Sequence, residues 1–92
     1  MIFAIEFKDK AKTDVLKHQK SGNKILVKRI KNFVIECHNE PRSGTGKPEQ
    51  LKFRNQETWS RRINNKHRFV YEIDETQKLV YILSAWGHYE GG

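Results

Sequence analysis

The order of apolar and polar positions divides the chain into helices in its first half and strands in its second, after one opening strand. Residues 2–7 (IFAIEF) are β-branched and aromatic, which predicts that opening strand. Helix-forming residues then run from Asp9 to about Lys20. The thin apolar stripe of this first helix consists of Ala11, Val15 and Leu16.

A second helix has the clearest period in the sequence. Ser21-Gly22-Asn23 separates it from the first, because glycine suits the residue after a helix and asparagine caps the next one, and Pro41 ends it. Two helices joined by so short a break should form an antiparallel hairpin. We interpret the lysines on the polar sides of both helices as a solvated surface. The apolar positions of the second helix, three or four residues apart, are Leu26, Ile30, Phe33, Val34 and Cys37.

The second half of the chain predicts a loop and then three strands. Ser43–Gln50 carries two glycines and a proline and reads as the loop. Strands follow at Trp59–Ile63, His67–Ile73 and Leu79–Gly87, and the short polar breaks between them favour antiparallel hairpins. We therefore predict an α+β fold of order β-α-α-β-β-β, an antiparallel sheet with the helix hairpin packed on one face. The length allows one domain, residues 1–92.

Alternation in the strand His67–Ile73 predicts which side chains face solvent. Phe69, Tyr71 and Ile73 should meet the helices. Arg68 should then lie on the uncovered face of the sheet. Since neighbouring residues of a strand point in opposite directions, His67 and Arg68 should not share a site.

The net charge of +7 is concentrated in the middle of the chain. Residues 41–68 hold eight basic and two acidic side chains, net +6, whereas residues 69–92 hold one basic and four acidic, net −3. This distribution predicts an anionic partner, which could be nucleic acid, a membrane surface or an acidic protein. Five of the eight central cations are arginines, whose guanidinium groups fork onto phosphate oxygens.

The remaining composition indicates a cytoplasmic protein. Cys37 is the one cysteine, so no internal disulfide can form and a reducing compartment fits best. No stretch has the length of apolar residues that a membrane span needs, and the N-terminus lacks the features of a signal peptide. The histidines and Cys37 show no zinc-binding spacing, so we expect no metal and no cofactor.

Short motifs in the basic region and at the C-terminus resemble those of the YoeB/Txe toxins, which belong to the RelE superfamily. The resemblance covers residues 20–90 or so, with the motifs in the family's order and spacing. They are Gly46-Lys47-Pro48-Glu49, Leu51-Lys52, Trp59-Ser60-Arg61-Arg62-Ile63, His67-Arg68, Val70-Tyr71 and His88-Tyr89. The chain departs from the family in continuing past His88-Tyr89 with Glu90-Gly91-Gly92, and in having Trp86-Gly87 where a basic residue is common.

The resemblance implies the toxin of a type II toxin–antitoxin module, an endoribonuclease that cuts mRNA in the ribosomal A site without a metal. It also implies an acidic antitoxin of the YefM/Axe kind, and it leaves monomer or homodimer open. By the same resemblance Glu49 is the general base, Arg68 holds the phosphate and His88 is the general acid. Supporting positions fall on Lys52, Arg62 and Tyr89, and the basic stretch adds Arg61 and Lys47 as candidates for phosphate contact.

The chemistry is consistent with these residue types. RNA carries its own nucleophile, the 2′-hydroxyl, so cleavage needs a base, an acid and cations around the phosphate. Two other functions stay open. One is a non-enzymatic toxin of the same fold that binds a protein target, as the ParE gyrase poisons do, and the other is a plain RNA-binding module. An acid–base pair distinguishes the enzyme, because a pure binder has no use for one.

Overall fold

The computed structural model describes residues 2–87, and within that range it contains two helices and five strands. The helices come between the first and second strands, in the order that the sequence predicts. In chain order the elements are β1 (Ala4–Phe7), α1 (Asp9–Lys20), α2 (Lys24–Asn39), β2 (Glu49–Leu51), β3 (Glu57–Arg62), β4 (Arg68–Asp74) and β5 (Leu79–Ser84).

The strands form one mixed sheet in the order β1-β5-β4-β3-β2. The α+β class is confirmed, but the description of the sheet as antiparallel is corrected: β2 to β5 pair antiparallel, while β1 runs parallel to β5. No hairpin joins β1 to β5, because both helices and three strands lie between them in the chain. Long connections of this kind permit parallel pairing, so the hairpin argument does not apply to the first strand.

The second strand, β2, lies in the stretch that we predicted to be a loop. Three residues are too few to show a two-residue period, and β2 gains hydrogen bonds from β3 alone because it is the edge of the sheet. Pro48 directly before it is compatible with an edge position. At the other end of the chain, β5 stops at Ser84 and not at Gly87 as predicted.

The second helix has the predicted buried stripe, and the first has it only in part, because Ala11 is buried and Val15 packs against the core. Leu26, Ile30, Phe33 and Cys37 are buried, and the Asn23 side chain accepts a hydrogen bond from the Leu26 amide at 3.2 Å. In α1, by contrast, Leu16 is 51% exposed, whereas the polar residues Asp14 and His18 are each only 1% exposed. Within residues 2–87, neither helix is long and apolar enough to cross a membrane.

Both helices lie on one face of the sheet. Phe33 of α2 packs its ring on Phe69 of β4, with the ring centroids 5.4 Å apart, and Ala11 of α1 joins the same buried cluster. Phe69, Tyr71 and Ile73 belong to that cluster, as predicted from their alternation. The other face therefore carries the side chains that alternate with them.

Candidate active site

Strand register brings three of the predicted site residues to the helix-free face of the sheet. Glu49 of β2 lies opposite Ser60 of β3, and Arg62, two residues on, lies opposite Arg68 of β4. Residues two apart in a strand share a face, so the Glu49 carboxylate and both guanidinium groups project from the same side. They come from three adjacent strands, so about 10 Å separates the first strand from the third.

Glu49 is the acid of the basic region that remains available. The other one, Glu57, accepts hydrogen bonds from Arg42 Nε and Nη2 at 2.8 and 3.0 Å and from Trp59 Nε1 at 2.9 Å. The hydrogen bond from Arg42 lowers the pKa of Glu57. Glu49 is exposed, and among the residues that the structure describes no salt bridge to it is found.

The turn before Glu49 is fixed by Gly46. Its φ is +79°, a conformation that glycine adopts without strain, and a Cβ there would lie 2.6 Å from Cζ of Phe33. The Gly46 carbonyl accepts a hydrogen bond from the Arg62 amide at 2.7 Å. The approach to Glu49 is therefore tied to the strand that carries Arg62.

Arg68 is half-buried and held by the turn before its own strand. Its Nη1 donates to the carbonyl oxygens of Asn64 at 2.7 Å and His67 at 3.2 Å. Its backbone N–H donates to the Gly87 carbonyl at 2.9 Å. Gly87 precedes His88 in the sequence, so the described chain ends next to Arg68. His88 and Tyr89 themselves lie outside the described residues.

His67 precedes β4 and belongs to a separate cluster. Its Nδ1 accepts a hydrogen bond from the Gly87 amide at 2.9 Å, and its ring packs against those of His18 and Trp86. We predicted that His67 and Arg68 do not share a site, on the assumption that both lie in the strand. The strand begins at Arg68, and the two residues meet at Gly87, one through its ring and the other through its backbone.

The phosphate-binding role predicted for Arg61 is wrong, because its side chain is fully buried. Its guanidinium forms an ion pair with Glu36 and a 3.0 Å hydrogen bond to the Tyr71 hydroxyl. It also donates to three carbonyl oxygens of the loop before β2, those of Pro41, Ser43 and Thr45. Strand alternation contained this information, since Arg61 lies between Trp59 and Ile63, which both belong to the core side.

The neighbours of Arg61 are kept uncharged by burial. Burial raises the pKa of Cys37 to about 11 and raises that of Tyr71 above its ordinary value. Both groups are therefore neutral at physiological pH, and Glu36 provides the negative charge that balances Arg61.

Three further predicted cations, Lys47, Lys52 and Arg62, are exposed. Lys52 follows β2, and Lys47, with φ +51°, precedes it. Lys47 and Arg62 also line an open groove, together with Lys28 and Arg29 of α2, so positive charge extends from the helix-free face towards the helix. Among residues 2–87, no group of three or more histidine, cysteine, aspartate or glutamate side chains is placed to hold a metal ion.

Protonation of His67 should destabilise the fold. Burial, with smaller contributions from His18 and Lys66, lowers the pKa of His67, against an opposing effect of Asp14. The unfolded chain therefore takes up this proton first, so the stability contributed above about pH 6.5 is lost as the pH falls towards the lowered value. Urea unfolding at about pH 7.5 and about pH 5.5 should show a larger loss for the wild type than for His67→Asn. Equal losses would contradict this assignment.

The fold and this face together define a small basic α+β protein with a carboxylate and two arginines on an open sheet. Residues 7–89 match the family model described as YoeB-like toxin of bacterial type II toxin–antitoxin system. The chain belongs to this family. The resemblance seen in the sequence is thereby confirmed.

Three relatives illustrate the similarity. A Toxin YoeB from Synechocystis sp. is 40% identical over 86 residues, which cover 94% of this chain and 96% of that protein. A YoeB/ParE toxin from Agrobacterium tumefaciens has a TM-score of 0.85 at 28% identity, over 95% of this chain and 100% of that one. YoeB from Staphylococcus aureus has been solved as a dimer (TM-score 0.79, 34% identity) and in a heterotetrameric complex with YefM (0.76, 34%). The similarity to each of these two S. aureus structures covers 97% of this chain and 100% of the S. aureus chain.

Proposed function

We propose that this toxin is an endoribonuclease that cuts mRNA on the ribosome, without a metal, and thereby stops translation. The observation that carries the proposal is the register that puts Glu49, Arg62 and Arg68 on one open face. The described chain ends at Gly87, whose carbonyl accepts a hydrogen bond from the Arg68 amide, and His88 is the next residue in the sequence.

The proposed reaction uses the 2′-hydroxyl of the RNA as nucleophile. Glu49 accepts the proton of that hydroxyl as the bond from the 2′-oxygen to phosphorus forms. His88, as imidazolium, gives a proton to the 5′-oxygen as its bond to phosphorus breaks. Arg68 and Arg62 stabilise the negative charge that develops on the phosphate oxygens, with Lys47, Lys52 and Tyr89 as further contacts. The products are a 2′,3′-cyclic phosphate and a 5′-hydroxyl.

The proposed partners are mRNA and the ribosome in the cytoplasm, and an acidic antitoxin of the YefM kind. A basic face built to hold a polyanion should also attract an acidic protein segment. The S. aureus relative supports the antitoxin by its complex with YefM, and its dimer supports a homodimer here. RNA and antitoxin should then compete. Ternary binding with undiminished cleavage would contradict a shared surface.

The test is to add the purified protein to translating ribosomes and to map the 5′ ends of the mRNA. Cuts in phase with the codons are expected from the wild type and should be lost in the double variant Glu49→Gln/His88→Gln. If no phased cuts form, or if they survive in the double variant, the enzyme proposal fails. RNA binding without cuts would then support a plain binding module. The absence of both RNA binding and cleavage would support a toxin directed at a protein, such as a gyrase poison.

Binding to RNA should depend steeply on salt. With about five phosphate contacts on single-stranded RNA, the slope of log K against log salt concentration should be near −3.5, because each contact releases condensed counterions. The Arg62→Met variant should have a shallower slope by about 0.7, whereas Lys12→Met, an exposed lysine of α1, should not change it. A slope close to zero for the wild type would exclude the basic face as the RNA-binding surface.

A further inference from the structure

The three residues after the last strand are held by side chains. Where β5 ends, the Ala85 amide donates to Asp14 Oδ2 at 3.0 Å, and the Ala85 carbonyl lies 2.7 Å from His18 Nε2. The Gly87 amide donates to His67 Nδ1 at 2.9 Å. Ala85 and Gly87 are therefore fixed from two directions, by α1 and by the turn before β4.

The two side chains that bind the Ala85 backbone are polar and buried. Asp14 and His18 are four residues apart on α1, so they project from one side of the helix, and each is only 1% exposed. Lys10 pairs with Asp14 at 2.6 Å and offsets its buried charge. Burial of a carboxylate and an imidazole is unfavourable unless their hydrogen bonds are satisfied, and the backbone of Ala85 supplies a partner to each. This explains why the polar side of α1 faces inwards here.

The two histidines also belong to an aromatic cluster with Trp86. The Trp86 ring lies 4.8 Å from the His18 ring and 4.3 Å from the His67 ring, measured between centroids. The two histidine rings are 4.9 Å apart and nearly perpendicular. The ammonium of Lys17 lies over the Trp86 ring, 5.4 Å from its centroid. Trp86 thereby links the two histidines that bind its neighbours in the chain.

The hydrogen bonds define one ring nitrogen of each imidazole. A carbonyl oxygen only accepts, so His18 carries a hydrogen on Nε2. A backbone amide only donates, so Nδ1 of His67 is unprotonated and that ring is neutral. Each histidine therefore has a distinct task, one as donor and the other as acceptor.

We propose that Asp14, His18 and His67 form a C-terminal clamp, which fixes the position and direction of the chain at Gly87, beside Arg68, and thereby positions the proposed general acid, His88. They are positioning residues, since they act through His88. Gly87 has a φ of +99°, a conformation that favours glycine, and hydrogen bonds hold both its amide and its carbonyl. The clamp rests on the proposed function, in which His88 protonates the leaving oxygen.

The test compares two substitutions at His67 with different chemistry. Phenylalanine keeps a ring against Trp86 but removes the acceptor, whereas asparagine places an oxygen close to where Nδ1 stands. With saturating ribosomes, His67→Phe should lower the single-turnover cleavage rate about 10- to 100-fold, because displacement of a reacting group by about 1 Å has effects of this size. Ribosome affinity should change less than about threefold, and His67→Asn should recover most of the rate. His18→Leu and His18→Gln form the corresponding pair for the donor.

A double-mutant cycle separates positioning from general damage. If the clamp acts through His88, then adding His67→Phe to His88→Ala should cause no further loss of rate. Losses that multiply would overturn the proposal. So would a loss of affinity in place of rate, or a His67→Asn variant as slow as His67→Phe.

Hydrogen exchange distinguishes failure of the clamp from failure of the proposed function. The Gly87 amide of the wild type should be protected, and His67→Phe should remove that protection, while amides in the middle of β4 remain protected. If the wild type cuts no RNA, the proposed function fails, and faster exchange at Gly87 alone would still support a clamp on the C-terminal segment. Unchanged exchange at Gly87 in His67→Phe would overturn the clamp whatever the cleavage result.

Discussion

Arg61→Met should lower the free energy of unfolding by about 3 kcal/mol or more, whereas Arg62→Met, one residue on in the same strand, should change it by less than about 0.5 kcal/mol. The two arginines are adjacent in sequence and opposite in environment. The Arg61 side chain is fully buried, and Arg62 is exposed. The effect at Arg61 is a large part of the stability of a domain of this size.

The physical reason lies in what Arg61 leaves behind. Glu36 would lose its ion-pair partner, and the carbonyls of Ser43 and Thr45 would lose a buried donor. Methionine fills a similar volume without restoring any of these hydrogen bonds. Urea unfolding curves for the two variants measure the difference, and equal midpoints would contradict the role given to Arg61. RNA binding should show the reverse order, with Arg62→Met the weaker binder at low temperature, where both remain folded.

Arg61 also connects the buried core with the chain that leads to Glu49. The loop that it holds runs directly into Gly46, whose carbonyl binds the Arg62 amide, and then into Glu49. The stability of this loop and the placement of Glu49 are therefore linked through one buried guanidinium. The sequence pattern Trp-Ser-Arg-Arg-Ile holds two arginines with separate tasks, one inside the fold and one on the open face.

The sequence predicted the parts of the fold that depend on local periods. The stripe of α2, the cap at Asn23 and the inward direction of Phe69 and Tyr71 all follow from spacing, and the structure has them. The parallel pairing of β1 with β5 depends on contacts between the two ends of the chain, which no local pattern encodes. The edge strand β2 is three residues long, too short for a period.

The candidate site was predictable where it lies in predicted strands, and it was missed where it depends on strand pairing or where polar groups are buried. Alternation gives the face of Arg62 and Arg68 locally, whereas the face of Glu49 follows from the pairing of β2 with β3, which no local pattern encodes. Asp14 and His18 were not recognised, because a helix pattern assigns polar residues to the solvent side. Their partners are backbone groups of Ala85, and hydrogen bonding at such a distance along the chain leaves no trace in the spacing of α1.

Glu49→Gln should reduce the single-turnover rate of RNA cleavage on the ribosome by about 10²- to 10⁴-fold, which is the usual contribution of a general base. Glutamine has the same shape as glutamate but does not accept the proton of the 2′-hydroxyl. Binding should not weaken, because the substitution removes a negative charge from a face that holds a polyanion. Quench-flow cleavage of a defined mRNA, with affinity measured separately, distinguishes the two effects.

Glu57→Gln is the matched control, since it changes the other acid of the same basic region. Glu57 is bound by Arg42 and Trp59, so this variant should lose some stability and keep its cleavage rate to within about threefold. An mRNA with a single 2′-deoxy nucleotide at the cut position adds a second control. It should bind and remain intact with the wild type, because the nucleophile is missing. Cleavage of the deoxy substrate would show that another nucleophile attacks. An unchanged rate for Glu49→Gln would exclude Glu49 as the base, because its carboxylate would then have no part in the rate-determining proton transfer.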